Sequence, residues 1–265
     1  MSRILQITDV HLAARPSTVS DVLNTHQIFE NAVKKIQSDL PMLGEIDAVI
    51  VTGDISDKGD LSSYEVFKSI IDQLQLPYFL IPGNHDKREP LRQCFHQHQY
   101  MSQSGEINWV QPLDDFMIIG LDSTIPNKGE GELTQDTLSF LSDALNSQPD
   151  KPALVALHHP PFMSGIPFMD NIRLNNSESF ARVIEQASQD VRIICGHLHN
   201  SIVCDIGGST VISSPAIAST FLTDYRENAQ VGFVKSTGGY MVHDWDNGFR
   251  SSFISLDLEN EVHPF

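Results

Sequence analysis

The sequence predicts an α/β fold in which largely parallel strands alternate with helices. Short apolar runs rich in β-branched residues recur along the first three quarters of the chain, and longer segments of helical period separate them. The runs are almost continuously apolar, as is typical of strands that are buried on both faces. Alternation of this kind favours βαβ units and a mainly parallel sheet over a series of hairpins.

The predicted elements can be justified in chain order. The segment 25–40 places Ile28, Ala32, Val33 and Ile36 at helical spacing, which predicts an amphipathic helix. Further helices are predicted over 61–74, 134–146 and 177–189. Strands are predicted over 3–8, 47–52, 78–82, 116–121, 152–157 and 191–196.

The last quarter of the chain has a different pattern. After residue 200 the sequence consists of short strand-like runs with glycine turns and no helical period. We expect these strands to complete a second sheet. Because the chain contains no internal repeat, low-complexity tract or linker-like segment, we predict one domain over residues 1–265.

Composition and charge exclude several classes of protein. The chain has 265 residues, of which 40% are hydrophobic, and its net charge of −17 opposes binding to nucleic acid or to anionic membranes. No apolar run approaches the ~20 residues that span a bilayer, and the N-terminus lacks a signal pattern, so we expect a cytoplasmic protein.

The chain has three cysteines, Cys94, Cys195 and Cys204. They are predicted to be small core residues rather than a disulfide or zinc framework.

Five of the predicted strands end in a polar motif that could bind metal. The motif residues, in strand order, are Asp9 and His11, Gly53 and Asp54, Gly83 to His85, His158 and His159, and Gly196, His197 and His199. Ligands of open α/β sheets bind beyond the carboxyl ends of the strands. If the strands are parallel neighbours, the five motifs therefore face one crevice.

Histidine usage and spacing support a shared site. Six of the 11 histidines fall inside the motifs. The Asp9/His11 and His197/His199 pairs have i, i+2 spacing, so in extended chain both members would face one side. A glycine directly precedes Asp54, Asn84 and His197, and glycine lets the backbone approach other groups closely or adopt positive φ. Four of the motifs taken alone are more typical of a turn or loop, and the motif at 196–199 alone is as typical of a loop as of a metal site, but all five in this order indicate a metal site.

The ordered pattern D-x-H, G-D, G-N-H-[DE], H, G-H-x-H resembles the calcineurin-like metallophosphoesterases. The segments 158–162, 169–176 and 232–245 resemble one branch, which holds class III cyclic nucleotide phosphodiesterases and bacterial glycerophosphodiesterases. The resemblance extends from about residue 3 to about residue 246. It implies a four-layer α/β/β/α sandwich with a dinuclear metal site at the C-terminal ends of the strands.

The resemblance also implies roles for individual residues. One metal ion would be bound by Asp9, His11, Asp54 and His199, and the other by Asp54, Asn84, His158 and His197. The implied substrate-binding residues are His11, Asn84, His85 and His199. His85 would not bind metal; it would contact the phosphate and protonate the leaving oxygen, a role that suits imidazole near neutral pH. The mixed ligands suit two divalent transition-metal ions, with Fe or Mn expected and Zn or Co as alternatives.

The implied activity is hydrolysis of small phosphodiesters, such as cyclic AMP or other 3′,5′-cyclic nucleotides, or glycerophosphodiesters, by a metal-bridging hydroxide. Two divalent ions, two aspartates and one hydroxide leave a single positive charge, which a diester monoanion neutralises. A promiscuous monoesterase or nuclease on the same fold is the alternative, and a non-catalytic scaffold is a third reading. A scaffold would have eroded ligands, whereas all seven are present, and a nuclease would need a basic groove. A homo-oligomer such as a dimer is compatible with the sequence.

Three further residues near the motifs have less certain assignments. We expect His159 to support the site rather than bind metal, because the family ligand matches His158. Asp86 either orients His85 or the loop, or is an ordinary turn residue. His243 is expected to be structural rather than part of the pocket rim.

Overall fold

The structure is a computed structural model that describes residues 1–14, 18–236, 238–257 and 263. Its strands are β1 (Arg3–Ile7), β2 (Ala48–Thr52), β3 (Tyr78–Ile81), β4 (Trp109–Pro112), β5 (Met117–Leu121), β6 (Ala153–Leu157), β7 (Val191–Cys195), β8 (Val203–Ile206), β9 (Ser209–Ser213), β10 (Thr220–Phe221), β11 (Phe233–Val234), β12 (Gly239–Trp245) and β13 (Phe249–Ser255). Its α-helices are α1 (Thr25–Leu43), α2 (Leu61–Ile71), α3 (Arg88–Phe95), α4 (Gln135–Ser147), α5 (Pro167–Asp170) and α6 (Ser177–Glu185).

The strands form two main sheets. The first has the order β13-β12-β1-β2-β3, and the second has the order β4-β5-β6-β7-β9-β8. Strands β1, β2 and β3 are parallel, as are β5, β6, β7 and β9, and antiparallel strands lie only at the margins of each sheet. The predicted largely parallel βαβ organisation is therefore confirmed.

The two sheets pack face to face with helices outside them. Alternation along β5 shows the layers: Ile118 joins the core that contains the strands and helices of the first sheet, whereas Ile119 packs with residues of α4 and α6. Helix α1 contributes Phe29 and Ile36 to the first core, and Phe180 of α6 belongs to the second. The α/β/β/α sandwich that the family resemblance implies is the observed architecture.

The last quarter of the chain does not simply complete a second sheet, so that expectation is wrong in part. Strands β8 and β9 join the second sheet, but β12 and β13 extend the first sheet beside β1. Six of the seven residues of β12 are buried, because this strand covers an edge of β1 that would otherwise be left unpaired. Strands β10 and β11 pair only with each other, forming a short ribbon. The final predicted strand ends at Ser255, and residue 258 lies outside the described residues.

Sequence reasoning missed three elements between the motifs, namely α3, β4 and α5. Helix α3 has few apolar residues, and its buried face consists of Leu91, Arg92 and Phe95. The predicted helix over 177–189 ends earlier, at Glu185, while α1 continues through Pro41 to Leu43. Across the described ranges, we find no helix whose length and apolar character would allow it to cross a bilayer.

Trp109 connects the margins of the two sheets. Its indole Nε1 donates a hydrogen bond of 2.8 Å to the carbonyl oxygen of Leu80 in β3, although Trp109 itself lies in β4 of the other sheet. The ring packs over Gly120 of β5, where an added Cβ would lie only 2.3 Å from Trp109. Gln6 makes a second link, since its Nε2 donates to the carbonyl oxygen of Cys195 at 3.0 Å. These bonds help to fix one sheet against the other.

Substitution of Gly120 tests this packing. We expect Gly120→Ala to lower the free energy of unfolding by about 1–3 kcal/mol, because the new methyl group displaces a buried indole. Urea unfolding followed by circular dichroism measures the loss. Gly232→Ala is the matched control, since a Cβ at Gly232 would meet no atom within 4 Å. Equal unfolding midpoints for the two variants would contradict the role of Gly120.

Candidate metal centre

All seven predicted ligand residues meet at the carboxyl-terminal edges of the two sheets. Neighbouring parallel strands were the condition under which the sequence placed the five motifs in one crevice, and the structure meets it only in part. Strands β1, β2 and β3 belong to the first sheet, and β6 and β7 to the second. The two edges nevertheless adjoin. Asp54, after β2, lies 3.5 Å from His158, after β6, measured from Oδ2 to Nε2. The motifs therefore face one crevice, but it lies between two sheets.

The backbone at the motifs is turned rather than extended. Asp9 and His11 have φ values of 51° and 44°, and His197 and His199 have values of 68° and 55°. The expectation that each i, i+2 pair faces one side through extended chain is therefore wrong. Asp54 also has positive φ, at 48°. Left-handed backbone is costly for residues with a Cβ, and such strain is concentrated at functional sites.

Glycines allow the motif loops to approach each other, as predicted. A Cβ at Gly83 would lie 2.2 Å from Oδ1 of Asp54. A Cβ at Gly53, which also has a positive φ of 95°, would lie 2.4 Å from Nδ1 of His158. Larger residues at either position would separate ligands that the fold now holds together.

The side chains form two groups that meet at Asp54. In the first group, Nε2 of His199 lies 3.3 Å from Oδ1 of Asp9 and 3.1 Å from Nε2 of His11. In the second, Nε2 of His158 lies 3.1 Å from Oδ1 of Asn84 and 3.2 Å from Nδ1 of His197. A single atom, Oδ2 of Asp54, lies 3.5 Å from Nε2 of both His11 and His158.

Backbone carbonyl groups orient two of the imidazoles. Nδ1 of His158 donates to the oxygen of Thr52 at 2.8 Å, and Nδ1 of His199 donates to the oxygen of Ser219 at 3.0 Å. With the proton on Nδ1, the lone pair of Nε2 points into the centre, which is the arrangement that metal-binding histidines commonly adopt. Sequence patterns do not reveal such carbonyl partners.

Two buried atoms test whether the residues fit a metal. Three described side-chain atoms are buried without a hydrogen-bond partner, and two of them, Oδ1 of Asp9 and Nε2 of His197, belong to this site; the third is Nδ1 of His26. The other oxygen of Asp9 accepts bonds from the Thr8 hydroxyl at 2.7 Å and from the His197 backbone N–H at 3.0 Å. Buried polar atoms normally have partners. The two unpartnered atoms of this site are a carboxylate oxygen and an imidazole nitrogen, which are atoms that divalent transition metals bind, so the residues fit a metal.

The acidic and imidazole groups stabilise one another's charges. Burial disfavours ionisation of Asp9, but His199 outweighs it and lowers the pKa of the carboxyl to about 2. Burial acts in the same way on Asp54, where His158 and then His85 hold the pKa well below its usual value. In turn, Asp54 outweighs the effect of burial on His158 and raises the pKa of that imidazole to about 9. The carboxyl groups and the imidazole of His158 therefore favour one another's charged forms.

His85 lies beside the two groups, with a partner that sequence reasoning missed. Its Nδ1 donates to the backbone oxygen of Asp57 at 2.9 Å, and its ring contacts His11 edge-to-face with centroids 4.6 Å apart. The Asp57 carboxylate lies 3.6 Å from Nδ1 of His11. Together, these three residues form a further cluster with metal-binding spacing. The only sequence signal for Asp57 is its position three residues after Asp54.

Asp86 supports the loops and does not orient the His85 ring. Its two carboxylate oxygens accept hydrogen bonds from the backbone N–H groups of Ile55, Ser56 and Gly83 and from the Tyr64 hydroxyl. These bonds join the second motif loop to the third. Asp86 is therefore more than an ordinary turn residue.

His159 and His243 have internal hydrogen-bond partners. Nδ1 of His159 lies 2.8 Å from the Ser123 hydroxyl, and its Nε2 lies 3.2 Å from the oxygen of Gly129. Burial, with His197 and His158 nearby, holds the pKa of His159 well below its usual value. His243 is fully buried between Gln6 and Ser251, away from the pocket rim. Both environments agree with supporting or structural roles.

A cleft of about 390 Å³ opens beside the ligand groups. Its polar floor includes His11, Asp54, Asn84, His85, His197 and His199. Its apolar wall consists of Val19, Leu23, Phe168, Met169, Ile172, Ala218, Phe221 and Phe233. No lysine or arginine is among the described residues that line it. Lysine and arginine therefore supply no positive charge to the described lining of this cleft.

Comparison with known proteins identifies the family. The sequence profile of the calcineurin-like phosphoesterases matches residues 2–201. The chain belongs to the calcineurin-like phosphoesterase family. It is 30% identical over 246 residues to a probable glycerophosphodiester phosphodiesterase of Arcobacter nitrofigilis, covering 91% of this chain and 88% of that relative. It is 32% identical over 266 residues to a 3′,5′-cyclic-nucleotide phosphodiesterase of Nostoc sp., covering 98% and 96%.

A solved structure shares the fold of this family member. A dimetal phosphatase of Danio rerio superposes with a TM-score of 0.69 at 13% identity, covering 96% of each chain. At that level of identity, the likeness concerns the fold alone. The four-layer sandwich is thus a known scaffold, and the chemistry must be argued from the residues of this chain.

Asp86 provides a test of how the loops are held. We expect Asp86→Ala to lower the free energy of unfolding by at least about 3 kcal/mol, because each buried donor left without an acceptor costs about 1–3 kcal/mol. Thermal and urea unfolding measure the effect. Asp86→Asn is the matched variant: it keeps one acceptor oxygen and should lose less. If the alanine and asparagine variants were as stable as wild type, the loop-supporting role would be wrong.

Proposed function

We propose that the protein is a phosphoric diester hydrolase that uses two divalent metal ions to cleave small phosphodiesters. The observation that supports this most directly is the pair of ligand groups that share Asp54 at the floor of a cleft with no lysine or arginine among the described lining residues. The names of the Arcobacter and Nostoc relatives supply the two substrate candidates, glycerophosphodiesters and 3′,5′-cyclic nucleotides.

The proposed ligand sets follow the two groups in the structure. Asp9, His11, Asp54 and His199 would bind one ion, and Asp54, Asn84, His158 and His197 would bind the other. Asp54 would contribute to both ions, because its Oδ1 accepts the His85 backbone N–H at 2.9 Å while its Oδ2 faces Nε2 of both His11 and His158 at 3.5 Å. When bound, such ions would supply positive charge to the phosphate and lower the pKa of water. Fe or Mn are the ions we propose, with Zn or Co as alternatives.

The remaining chemistry belongs to side chains of this chain. His11, Asn84, His85 and His199 all line the cleft and would contact the phosphate. Because Nδ1 of His85 is held by the Asp57 carbonyl, its Nε2 is left to deliver a proton to the leaving oxygen. The surrounding wall would exclude water from the substrate. His85 is therefore the proposed catalytic acid.

One contact favours diesters over monoesters, which carry a second negative charge. Arg88 lies shortly after the third motif, but its guanidinium binds both oxygens of Asp122, at 2.7 and 3.0 Å. It is not among the residues that line the cleft. Phosphomonoesterase or nuclease activity remains the alternative on this fold. A cytoplasmic location and a homodimer stay predictions.

Metal content tests the shared ligand. Wild-type protein should bind about two transition-metal ions per chain, and Asp54→Ala should lose both metal and activity, because both groups contain Asp54. Asn84→Ala should mainly weaken one ion, with activity recovering in excess Mn²⁺. Elemental analysis and calorimetric titration with Mn²⁺ measure these effects. Asp114→Ala, at an exposed site before β5, is the control. Retention of both ions by Asp54→Ala would refute the assignment.

The leaving group tests His85. The alkoxide released from a cyclic nucleotide needs a proton, whereas nitrophenolate leaves readily without one. We therefore expect His85→Ala to reduce kcat for cyclic AMP by about 10²–10⁴-fold, the usual range for general acid catalysis. The loss for bis(4-nitrophenyl) phosphate should be much smaller, and metal content should not change. Equal losses on the two substrates would show that His85 positions the phosphate and does not donate a proton.

A further inference from the structure

The apolar wall of the cleft includes three phenylalanine side chains from separate parts of the chain. Phe168 belongs to α5, Phe221 to β10 and Phe233 to β11. Phe221 and Phe233 are directly opposite in the antiparallel ribbon, so their side chains lie on the same face of it. None of the three belongs to the metal-binding motifs.

Phe168 and Phe221 present parallel rings. Their centroids are 6.0 Å apart with an interplanar angle of 3°. Phe168 is 42% exposed, which is high for a large apolar residue in a cleft. Exposed aromatic surface beside a polar floor is the kind of surface on which proteins stack a flat heterocycle.

The main chain fixes this wall close to the ligand groups. The Ser219 oxygen accepts the Nδ1 proton of His199, and the Phe221 oxygen accepts a bond of 3.1 Å from the Asn200 side chain. Two residues of extended chain span about 7 Å, so the backbone of Phe221 lies within about that distance of Ser219, whose carbonyl oxygen holds His199. The segment before α5 is also held in place, because the Asp170 carboxylate accepts hydrogen bonds from the backbone N–H groups of Ser164 and Gly165.

We propose that Phe168 and Phe221 form a stacking surface for the nucleobase of the diester, so that the substrate is a cyclic nucleotide rather than a glycerophosphodiester. This inference rests on the proposed function of the same cleft. A glycerol or ethanolamine group would lose water against a carbon surface that offers it few hydrogen bonds, which is costly. A planar base has a π-face to offer, and the base stacks while the phosphate lies over the polar floor.

A quaternary ammonium group is the competing ligand for aromatic side chains. Cages for such cations surround the charge from several directions, whereas the Phe168 and Phe221 rings are parallel and stacked with each other, so they do not enclose a point between crossed ring planes. The geometry therefore favours a heterocycle over the choline group of glycerophosphocholine, and the experiment includes both.

The test compares substrates with and without a base. Phe168→Leu and Phe221→Leu keep apolar bulk but remove the ring. Each should raise KM for cyclic AMP about 5- to 100-fold, the range that loss of base–aromatic stacking implies, and leave kcat within about twofold because stacking occurs away from the reacting atoms. KM for glycerophosphoethanolamine and KM for glycerophosphocholine should each stay within about twofold. Phe253→Leu, at a half-exposed ring on β13, is the matched control and should change neither constant.

Three outcomes would overturn the proposal. They are an unchanged KM for cyclic AMP, an equal rise in KM for both substrates, and a rise confined to glycerophosphocholine. Calorimetric titration with adenosine, which has no phosphate, provides an independent readout. Weaker adenosine binding in Phe221→Leu than in wild type is expected even if no diester is hydrolysed, so failure of the proposed activity is distinguishable from failure of the stacking surface. Absence of adenosine binding to wild-type protein would also refute the surface.

Discussion

Two carboxylates, Asp9 and Asp54, are buried close together at the edge where the sheets meet, and the surrounding structure depends on holding them there. Their exposed fractions are 0% and 2%, and no lysine or arginine lines the adjoining cleft within the described chain. Removing a charge from water costs several kcal/mol unless other groups compensate. Here one oxygen of each carboxylate accepts a backbone N–H, from His197 or His85 respectively, and the other oxygen faces imidazole nitrogen atoms. The second oxygen is consequently available to a cation.

This arrangement explains why the backbone is unusual at the same positions. Ligands on five separate loops can converge on so small a volume only if the chain reverses sharply after each strand. Left-handed residues such as Asp54 provide the reversal, and glycines such as Gly53 and Gly83 remove the side chain that would obstruct it. The strain is offset by hydrogen bonds that join loop to loop, chiefly those of Asp86. The strands themselves are regular and need no such support.

The sequence was sufficient for the elements whose physical cause is local or strongly patterned. Apolar strands such as 152–157 and ligands such as His158 were predictable because hydrophobic runs and ordered polar motifs are visible along the chain. The sheet that each strand joins could not be predicted. Strand β12 pairs with β1 across more than 200 residues, and neither hydrophobic periodicity nor β-propensity encodes the choice of a partner strand. The hydrogen bond from His158 to the carbonyl oxygen of Thr52 could not be predicted either, because every residue has a carbonyl group and the sequence does not mark which one lies nearby. The left-handed backbone at Asp9 was missed because i, i+2 spacing suggested extended chain.

The ligand positions and the wall positions of the cleft constrain the sequence in different ways. Ligand positions tolerate little change, because each side chain is fixed by backbone geometry and by a partner on another loop. The wall is different: Ser219 and Phe221 attach to the centre through main-chain oxygen atoms, while the Phe221 ring itself takes no part in those bonds. Side chains at such positions can therefore be exchanged without moving His199. A family with one metal centre can in this way include members named for glycerophosphodiesters and members named for cyclic nucleotides. The residues that distinguish such members would lie in the wall, which the five metal-binding motifs do not include, rather than in the motif loops that identify the family.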